Sequence, residues 1–312
     1  MEPLTENKVI LVTRFTRLDE LIIRFNTIEQ AKFYVEHLGA DFSDYLEEDY
    51  HYKEALKIVE KSIYESARIQ KINRSYLPNF IFGQKDIIVA LGQDGLVANT
   101  IKYTNGQPII GINPDPKRWD GVLLPFEPSN TKQVLLEVFK KKRPVKNVTM
   151  AKATLNTGEE LLAVNDFFIG PSSHISAQYV IELAGKKESQ SSSGVIISTG
   201  LGSTGWLKSL LTGATSITNF LSHKKINIQP KHMIPWDCDY LHYTVREPYP
   251  SKISFASLVF GKITNKNPLK IYSQMPEHGI IFSDGIESDF LKFNSGSQVT
   301  ITLAEKQGRI VI

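Results

Sequence analysis

The stretch "ALGQDGLVANT" (residues 90–100) overlaps the apolar run "DIIVAL" (86–91) and leads into an amphipathic segment. In an open α/β sheet, ligands gather beyond the carboxyl ends of the strands. A strand ending at Leu91 therefore puts Gly92, Gln93, Asp94 and Gly95 where a ligand would bind. Gly92 and Gly95 allow positive φ and a close approach to the backbone. A helix starting near Leu96 offers free N–H groups and a positive dipole end suited to phosphate. An acid there repels phosphate unless it has another task, such as holding Mg²⁺ or accepting a proton from an attacking hydroxyl. A strand-to-helix turn that merely favours Gly and Asp reads the same way, so this loop alone does not decide the chemistry.

Around this loop the first half alternates strand and helix signals. "KVILVT" (8–13) reads as a first strand and not as the apolar core of a signal peptide. Two segments, 18–38 and 43–67, carry apolar residues at helical spacing, with Tyr45, Tyr52, Leu56, Val59 and Ile63 near one face. "IQKIN" (69–73), "DIIVAL" and "PIIGIN" (108–113) read as buried strands of a parallel sheet. Ser129 or Asn130 would cap a helix through "QVLLEVFKKK".

Beyond "KKKRPVK" (140–146) strands dominate: "VTMAKATL", "ELLAVNDFFIG", "QYVIELAG", "GVIISTG", "SKISFASLVF", "LKIYSQ", "GIIFSD", "QVTITLAE" and "GRIVI". One helical stretch (about 203–222) interrupts them, and "ESQSSSG" (188–194) reads as a loop. The expected organisation is an α/β domain over 1–143 and a β-rich nucleotide-binding domain over 144–312, with the C-terminal segment a candidate to return to the first.

The 312 residues carry 36 basic and 33 acidic side chains, a net charge of +3, too mild to argue for nucleic acid or a membrane surface. The one cysteine, Cys238, excludes an internal disulfide and a Cys-based metal cluster, and fits a reducing compartment. No run approaches the roughly 18 apolar residues of a membrane helix. The chain is expected to be soluble and cytoplasmic.

Two further constellations bear on chemistry. "AVNDFFIG" (163–170) sets Asn165 and Asp166 inside an apolar strand pattern, so at least one points inward unless the strand ends or bulges there. Burying either without partners costs several kcal/mol. A nucleoside's hydroxyls and base edge would satisfy them, as would an internal hydrogen-bond network. In "VIISTGLGSTGWLKS" (195–209), Ser203 and Thr204 suit a helix cap, while Thr204, Gly205 and Trp206 also suit a base-binding surface with Trp206 stacking.

Together, "GQDG", the "ND" pair and "STGLGSTGW" resemble, in order and spacing, the NAD kinase family, whose members carry GGDG, Asn-Asp or Asn-Glu, and a TPTGSTAY-like segment. "GINPDPKRWDGVLLPF" (111–126), "SSGVIISTGLGSTGW" (192–206), "REP" (246–248) and "FSDG" (282–285) are most similar to the mitochondrial-type branch. The resemblance covers nearly the whole chain. It implies an α/β domain and a β-rich domain with the active site between them. The implied reaction moves the ATP γ-phosphoryl group to the 2′-hydroxyl of the adenosine ribose of NAD, giving NADP. Mg²⁺ or another divalent ion, and a homodimer or homotetramer, are implied too.

By the same resemblance Asp94 is the proton acceptor and Gly95 lines the dinucleotide's path. Asn165 and Asp166 hold nucleoside portions, and Thr204, Gly205, Trp206 and Ser209 contact base and ribose. Gly92 and Gln93 form the donor-phosphate loop, and no protein metal ligand is assigned. The sequence departs from the pattern at Gln93 (a glycine in the family), Leu96 (Thr), Ser193 (acidic in many bacterial members) and Trp206 (Tyr). Two other readings stay open: a non-catalytic NAD(H)-binding homologue that lost turnover through Gln93 and Leu96, and a lipid kinase of the diacylglycerol or sphingosine type. Against the lipid kinase stand the "ND" pair, the third motif and the lack of an exposed apolar stretch for membrane docking. His174, close after the Asn-Asp pair, reads as a surface or loop residue with ligand contact as the alternative, and Arg246 as a pyrophosphate partner or a structural ion pair. Asp284–Gly285 reads as a tight turn, and "NPDP" (113–116) as a Pro-fixed turn in which Asp115 could support the site.

Overall fold

The computed structural model describes residues 6–223, 225, 234–286 and 289–312. The chain divides into two compact units: residues 1–146 with 308–312, and residues 147–307.

The first unit contains β1 (Lys8–Thr13), α1 (Arg17–Phe25), α2 (Ile28–His37), α3 (Ser43–Tyr64), β2 (Arg68–Asn73), β3 (Ile87–Leu91), α4 (Asp94–Tyr103), β4 (Pro108–Ile112) and α5 (Thr131–Phe139). Its strands lie in the order β2-β1-β3-β4, all parallel, and the chain's last residues add a parallel segment in which Arg309 faces Pro108. Every residue of β3 is buried, the pattern of a strand covered on both faces. Tyr52, Val59 and Ile63 of α3 pack with Val9, Leu11 and Val89 of the sheet in one apolar cluster.

The segment 18–38, read as one helix, is two. Asn26 takes a left-handed conformation (φ 68°), which its short polar side chain tolerates, and closes α1. Thr27 then caps α2 by accepting the Gln30 N–H at 3.1 Å. Neither Ser129 nor Asn130 caps α5 with its side chain. A 3₁₀ turn (Pro128–Asn130) precedes that helix, and the Asn130 carboxamide instead accepts the Glu127 N–H at 3.1 Å.

The second unit is built from β5 (Val145–Leu155, its first two residues counted with the first unit), β6 (Glu160–Ala163), β7 (Asp166–Pro171), β8 (Ala177–Leu183), β9 (Lys186–Ser192), β10 (Val195–Ser198), α6 (Trp206–Ser222), β11 (Leu241–Val245), β12 (Phe260–Ile263), β13 (Leu269–Ser273), β14 (Gly279–Ser283), β15 (Phe290–Lys292) and β16 (Gln298–Val311, of which 308–311 belong to the first unit). One sheet runs β12-β11-β10-β7-β14-β15, wholly antiparallel. Phe167, Ile169, Val195, Ile197, Tyr243 and Ile281 of that sheet share a core with Tyr179, Ile181, Ile271 and Val299 of β8, β13 and β16. The alternate residues, among them Asp166, Phe168, Ser198 and Phe282, therefore lie on the sheet's other face.

The architecture is thus an α/β unit with a parallel sheet and a β-rich unit, as the sequence indicated, with local corrections. "ESQSSSG" is mostly strand: residues 188–192 belong to β9. The run 160–170 breaks at Val164–Asn165 into β6 and β7. "SKISFASLVF" enters a strand only at Phe260, while Leu241–Val245 forms a strand not anticipated. "QVTITLAE" and "GRIVI" lie along one strand, β16.

Candidate functional site

In the first unit, α4 begins at Asp94 rather than near Leu96, with Gln93 as its N-cap (φ −112°, ψ 166°). Asp94 and Gly95 thus occupy the first helical turn, beside unpaired N–H groups. Neither Gly92 nor Gly95 has positive φ, so the expected left-handed backbone is not the reason for glycine there. At Gly92 the reason is space: a Cβ would come within 2.8 Å of Leu96 Cδ2 and 3.5 Å of the Arg14 side chain. Leu96, a departure from the family pattern, is buried and fills the room that Gly92 leaves. Gly95 is exposed and has open space where a Cβ would stand.

The Asp94 carboxylate is half-buried, and each oxygen accepts one backbone N–H: Oδ1 from Leu123 at 2.8 Å, Oδ2 from Val122 at 3.1 Å. A carboxylate offers about four acceptor positions, so two remain for a substrate hydroxyl. The segment it holds, after β4, is also fixed by Asn113, whose side chain donates to Trp119 O and accepts from Asp115 N. Asp115 itself contacts His51 (3.0 Å) and Arg118 (3.5 Å), which against its burial hold the carboxyl below its ordinary range. Through His51 it ties this turn to α3.

In the second unit, the chain leaves β6 and turns through Val164 and Asn165 into β7. The strand ends at the polar pair, which avoids burying both groups within it. The turn is anchored by Asp284, 119 residues along the chain from Asn165. Its Oδ1 accepts from the backbone N–H groups of Val164 (3.1 Å), Asn165 (2.6 Å) and Asp166 (3.2 Å), while its own N–H donates to Asp166 O at 2.9 Å. Asp284 and Gly285 form the expected turn, both with positive φ, but the acid is more than a turn former. Sequence reasoning missed this role. The only signal was an acid directly after a buried strand in "FSDG".

The turn packs against the third motif. Thr199 donates from Oγ1 to Val164 O (2.6 Å) and from its N–H to Asn165 O (3.0 Å), and Thr199 Oγ1 accepts the Gly202 N–H at 3.1 Å. A Cβ on Gly202 would stand 2.1 Å from Asn165 O, so only glycine allows this approach. The structure thereby brings Asn165 and Asp166 together with the 199–206 segment, while Gly92, Gln93, Asp94 and Gly95 lie in the other unit.

Asp166 is directed across the outer sheet face toward Ser198, its strand partner. Its Oδ1 is buried without a hydrogen-bond partner. Burial, then the nearby Asp284 carboxylate, push this carboxyl up to about 7 against the pull of the Ser198 hydroxyl. The native state thus holds a proton that the unfolded chain, near 3.8, has released. Stability from this group should fall as pH rises from about 4 through about 7. His242, lower than 6.5 through burial and Lys262, contributes the opposite slope just below 6.5. Melting temperatures measured from pH 5 to 8 should therefore decline less steeply in Asp166→Asn than in the parent. Parallel curves would show that Asp166 does not titrate there.

The Asn165 carboxamide makes no hydrogen bond with a described residue and is half-buried. Thr204, Gly205 and Ser209 are exposed. The hydroxyls of Thr204 and Ser209 make only long bonds, 3.4 Å, to Leu201 O and Gly205 O, which a ligand can replace. Neither Ser203 nor Thr204 caps α6, whose N-cap is Gly205; Ser203 donates instead to Gly200 O at 2.7 Å. Trp206 stacks on a protein ring, Phe168 (centroids 5.9 Å apart, 11° between planes), with the Arg246 guanidinium 5.6 Å from its centroid.

These two units define the class of the fold, an α/β unit with a parallel sheet followed by a β-rich unit with an antiparallel sheet. That fold is the one seen in solved NAD kinases. An NAD kinase from Archaeoglobus fulgidus in complex with ATP superposes with a TM-score of 0.58 over 98% of this chain and 93% of its own, at 16% identity. A yeast NADH kinase complexed with NADH superposes with a TM-score of 0.59 over 99% of this chain and 84% of its own, also at 16% identity. In sequence, an NAD kinase from Chlorobium phaeobacteroides is 32% identical over 128 residues, 39% of this chain. That match spans 44% of the relative, less than half its length. No family model matches the chain. The chain has the NAD kinase fold and is related to the NAD kinases, as its motifs indicated.

Proposed function

We propose that the chain is an ATP-dependent NAD kinase, transferring the γ-phosphoryl group to the 2′-hydroxyl of the adenosine ribose of NAD. The observation that carries this reading is the Asn165–Asp166 turn. It is a corner held by Asp284 and Thr199 that leaves one amide and one carboxylate oxygen without hydrogen-bond partners among the described residues, next to the exposed hydroxyls of the third motif. Those groups match what a ribose and a base edge offer. The 2′-hydroxyl would give its proton to Asp94, and its oxygen would form the new bond to phosphorus as the ADP oxygen departs. Asn165 and Asp166 would hold the nucleoside, Thr204, Gly205, Trp206 and Ser209 its base and ribose, and Gly95 the dinucleotide's path.

Among the described residues no group of three or more His, Cys, Asp or Glu could hold a metal ion. Mg²⁺ would arrive on the ATP phosphates, where it would neutralise phosphate charge. No helix among the described residues is long and apolar enough to cross a membrane. We place the reaction in the cytoplasm and expect a homodimer or homotetramer.

The test supplies purified protein with MgATP and NAD and reads NADP through a coupled dehydrogenase. One observation favours the second reading, a nucleotide-binding chain without turnover: both Asp94 oxygens already hold backbone N–H groups. NAD binding with no NADP formed would establish it.

Gln93 bears on donor use. Its backbone is extended and its carbonyl starts α4, so glycine is not required by conformation. Its carboxamide does not cap the helix, which leaves it available to donate to a phosphate oxygen of ATP beside Gly92. Gln93→Gly should therefore lower kcat/KM for ATP, while the melting temperature moves by no more than about 1 kcal/mol warrants. A clear gain in kcat/KM would mean that the side chain obstructs the donor.

A further inference from the structure

The parallel strands of the first unit, in the order β2-β1-β3-β4, change direction between β1 and β3: the chain steps from β1 to β2 on one side and from β3 to β4 on the other. In open α/β sheets, ligands bind in the crevice beyond the carboxyl ends of two such strands. The pairing of β1 with β3 ends at Val12 and Ala90, so the residues that follow are free to part. The first residue after β1 is Arg14, which lies outside the three motifs. It lies against Gly92, the first residue after β3: a Cβ on that glycine would stand 3.5 Å from Arg14 Cδ and Nε.

The Arg14 side chain is 8% exposed, and three groups fix it. Its Nη2 donates to Glu48 Oε1 at 2.8 Å, its Nη1 donates to Phe15 O at 3.0 Å, and its Cζ lies 5.2 Å from the centre of the Tyr52 ring. Against its burial, Arg17 and Arg14 hold the Glu48 carboxyl below its ordinary range, so this pair is charged. The Tyr52 hydroxyl accepts the Arg14 backbone N–H at 3.0 Å and donates to Leu91 O at 3.2 Å, which bridges the two strands where their own pairing stops. A guanidinium carries five N–H groups. Two are engaged here, and Nε is buried with no hydrogen-bond partner among the described residues. Buried polar groups are nearly always paired, so an orphan N–H at a ligand crevice points to a ligand. Two residues past Gly92, α4 begins; the N–H groups of Asp94 and Gly95 precede its first intrahelical bond, from Leu96 N–H to Gln93 O. Free helix N–H groups and a guanidinium share one ligand class, an anion with several oxygens.

We infer that Arg14 is a further binding residue for the phosphoryl donor: its free N–H groups take oxygens of the terminal phosphates of ATP, seated beyond β1 and β3 on the first turn of α4. That an anion binds here stands on the geometry of the first unit; that this anion is the donor rests on the proposed reaction. A cation held at this depth attracts phosphate more strongly than one in open water. Gly92 then serves two neighbours, since its missing side chain leaves room for Leu96 and lets the guanidinium reach the loop backbone.

Calorimetric titration of the full chain with MgATP, inorganic tripolyphosphate and NAD tests it. Arg14→Lys keeps the charge and removes the planar fork. It should weaken both MgATP and tripolyphosphate by about tenfold or more, while the Kd for NAD stays within about twofold of the parent value. A parent chain that binds neither phosphate compound would overturn the inference, as would unchanged affinities in a folded Arg14→Lys. Equal losses for MgATP and NAD would do the same, because they would make Arg14 a support of the fold. So would a loss for MgATP with tripolyphosphate untouched, which would put the contact away from the phosphates. Should Arg14→Lys fail to fold, the parent chain decides by nuclear magnetic resonance. Its Arg14 Nε–H signal should shift on adding tripolyphosphate and stay in place on adding adenosine; a signal that does not move, or that adenosine moves equally, would overturn the inference. A chain that forms no NADP yet loses tripolyphosphate in Arg14→Lys would keep the anion site and lose the proposed reaction.

Discussion

Asp94→Asn should reduce NADP formation by about 10²- to 10⁴-fold, the usual contribution of a positioned general base. The substitution keeps the size of the side chain and removes its charge and its capacity to take a proton. It also has a structural cost. Both carboxylate oxygens accept N–H groups, from Leu123 and Val122, and the amide NH₂ would face one of those donors. A lost bond of this kind costs about 1–3 kcal/mol. Rate, NAD affinity and melting temperature should therefore be measured together. A fall in rate with NAD affinity within a few-fold of the parent assigns the proton acceptor. A turnover equal to the parent's, in a variant that melts normally, would remove Asp94 from the chemistry.

The second large effect is expected at Gly202. A methyl group there meets the Asn165 carbonyl at 2.1 Å, and the obstacle is backbone, which cannot swing aside as a side chain can. Overpacking of this kind typically costs about 1–3 kcal/mol, occasionally more. Relief requires the Asn165–Asp166 turn to move away from Thr199, and that turn is the proposed seat of the nucleoside. Gly202→Ala should thus lower the melting temperature and weaken NAD binding by at least tenfold. Gly213→Ala in α6 is the matched control: nothing lies within 4 Å of its Cβ position. Replacing a helical glycine there should stabilise by up to about 1 kcal/mol. Equal behaviour of the two variants would show that the close approach at Gly202 is not maintained in solution.

Much of the fold was legible because its determinants are local. Runs such as Ile87–Leu91 are apolar throughout and bounded by Gly or Asp, so a buried strand is their only low-cost conformation. Strand β9 was not legible, because its buried side chains are Gln190 and Ser192. They are satisfied by the Tyr179 hydroxyl at 2.9 and 2.8 Å, a pairing with no signature in a hydropathy pattern. The break between α1 and α2 rests on one asparagine in a left-handed conformation.

For the candidate site, the three motifs were visible as departures from their surroundings: an acid between glycines, a polar pair in an apolar run, a glycine-rich turn before a helix. Their supports were not. Asp284 reaches Val164 across 120 residues, and Val122 and Leu123 reach Asp94 across 28 and 29. Such contacts follow from the fold and leave no mark on the residues flanking either partner. The reason for Gly92 was misread for the same cause. Its neighbour is the Leu96 side chain, one helical turn ahead, rather than an unusual φ.

Hairpin tips are ordinarily where a chain accepts extra residues, because nothing else depends on their length. The tip after β14 is an exception, since Asp284 both turns the hairpin and terminates the β6–β7 corner. An extra residue between Ser283 and Asp284 would withdraw the acceptor from three consecutive N–H groups in a distant part of the chain. The length of "SDG" is therefore constrained by a segment it does not adjoin. The turn at Ala184–Gly185, whose glycine faces open space, is under no such constraint. Drift in loop length within this unit is expected at the latter turn and not at the former, and a reporter peptide inserted into each would be tolerated in that order.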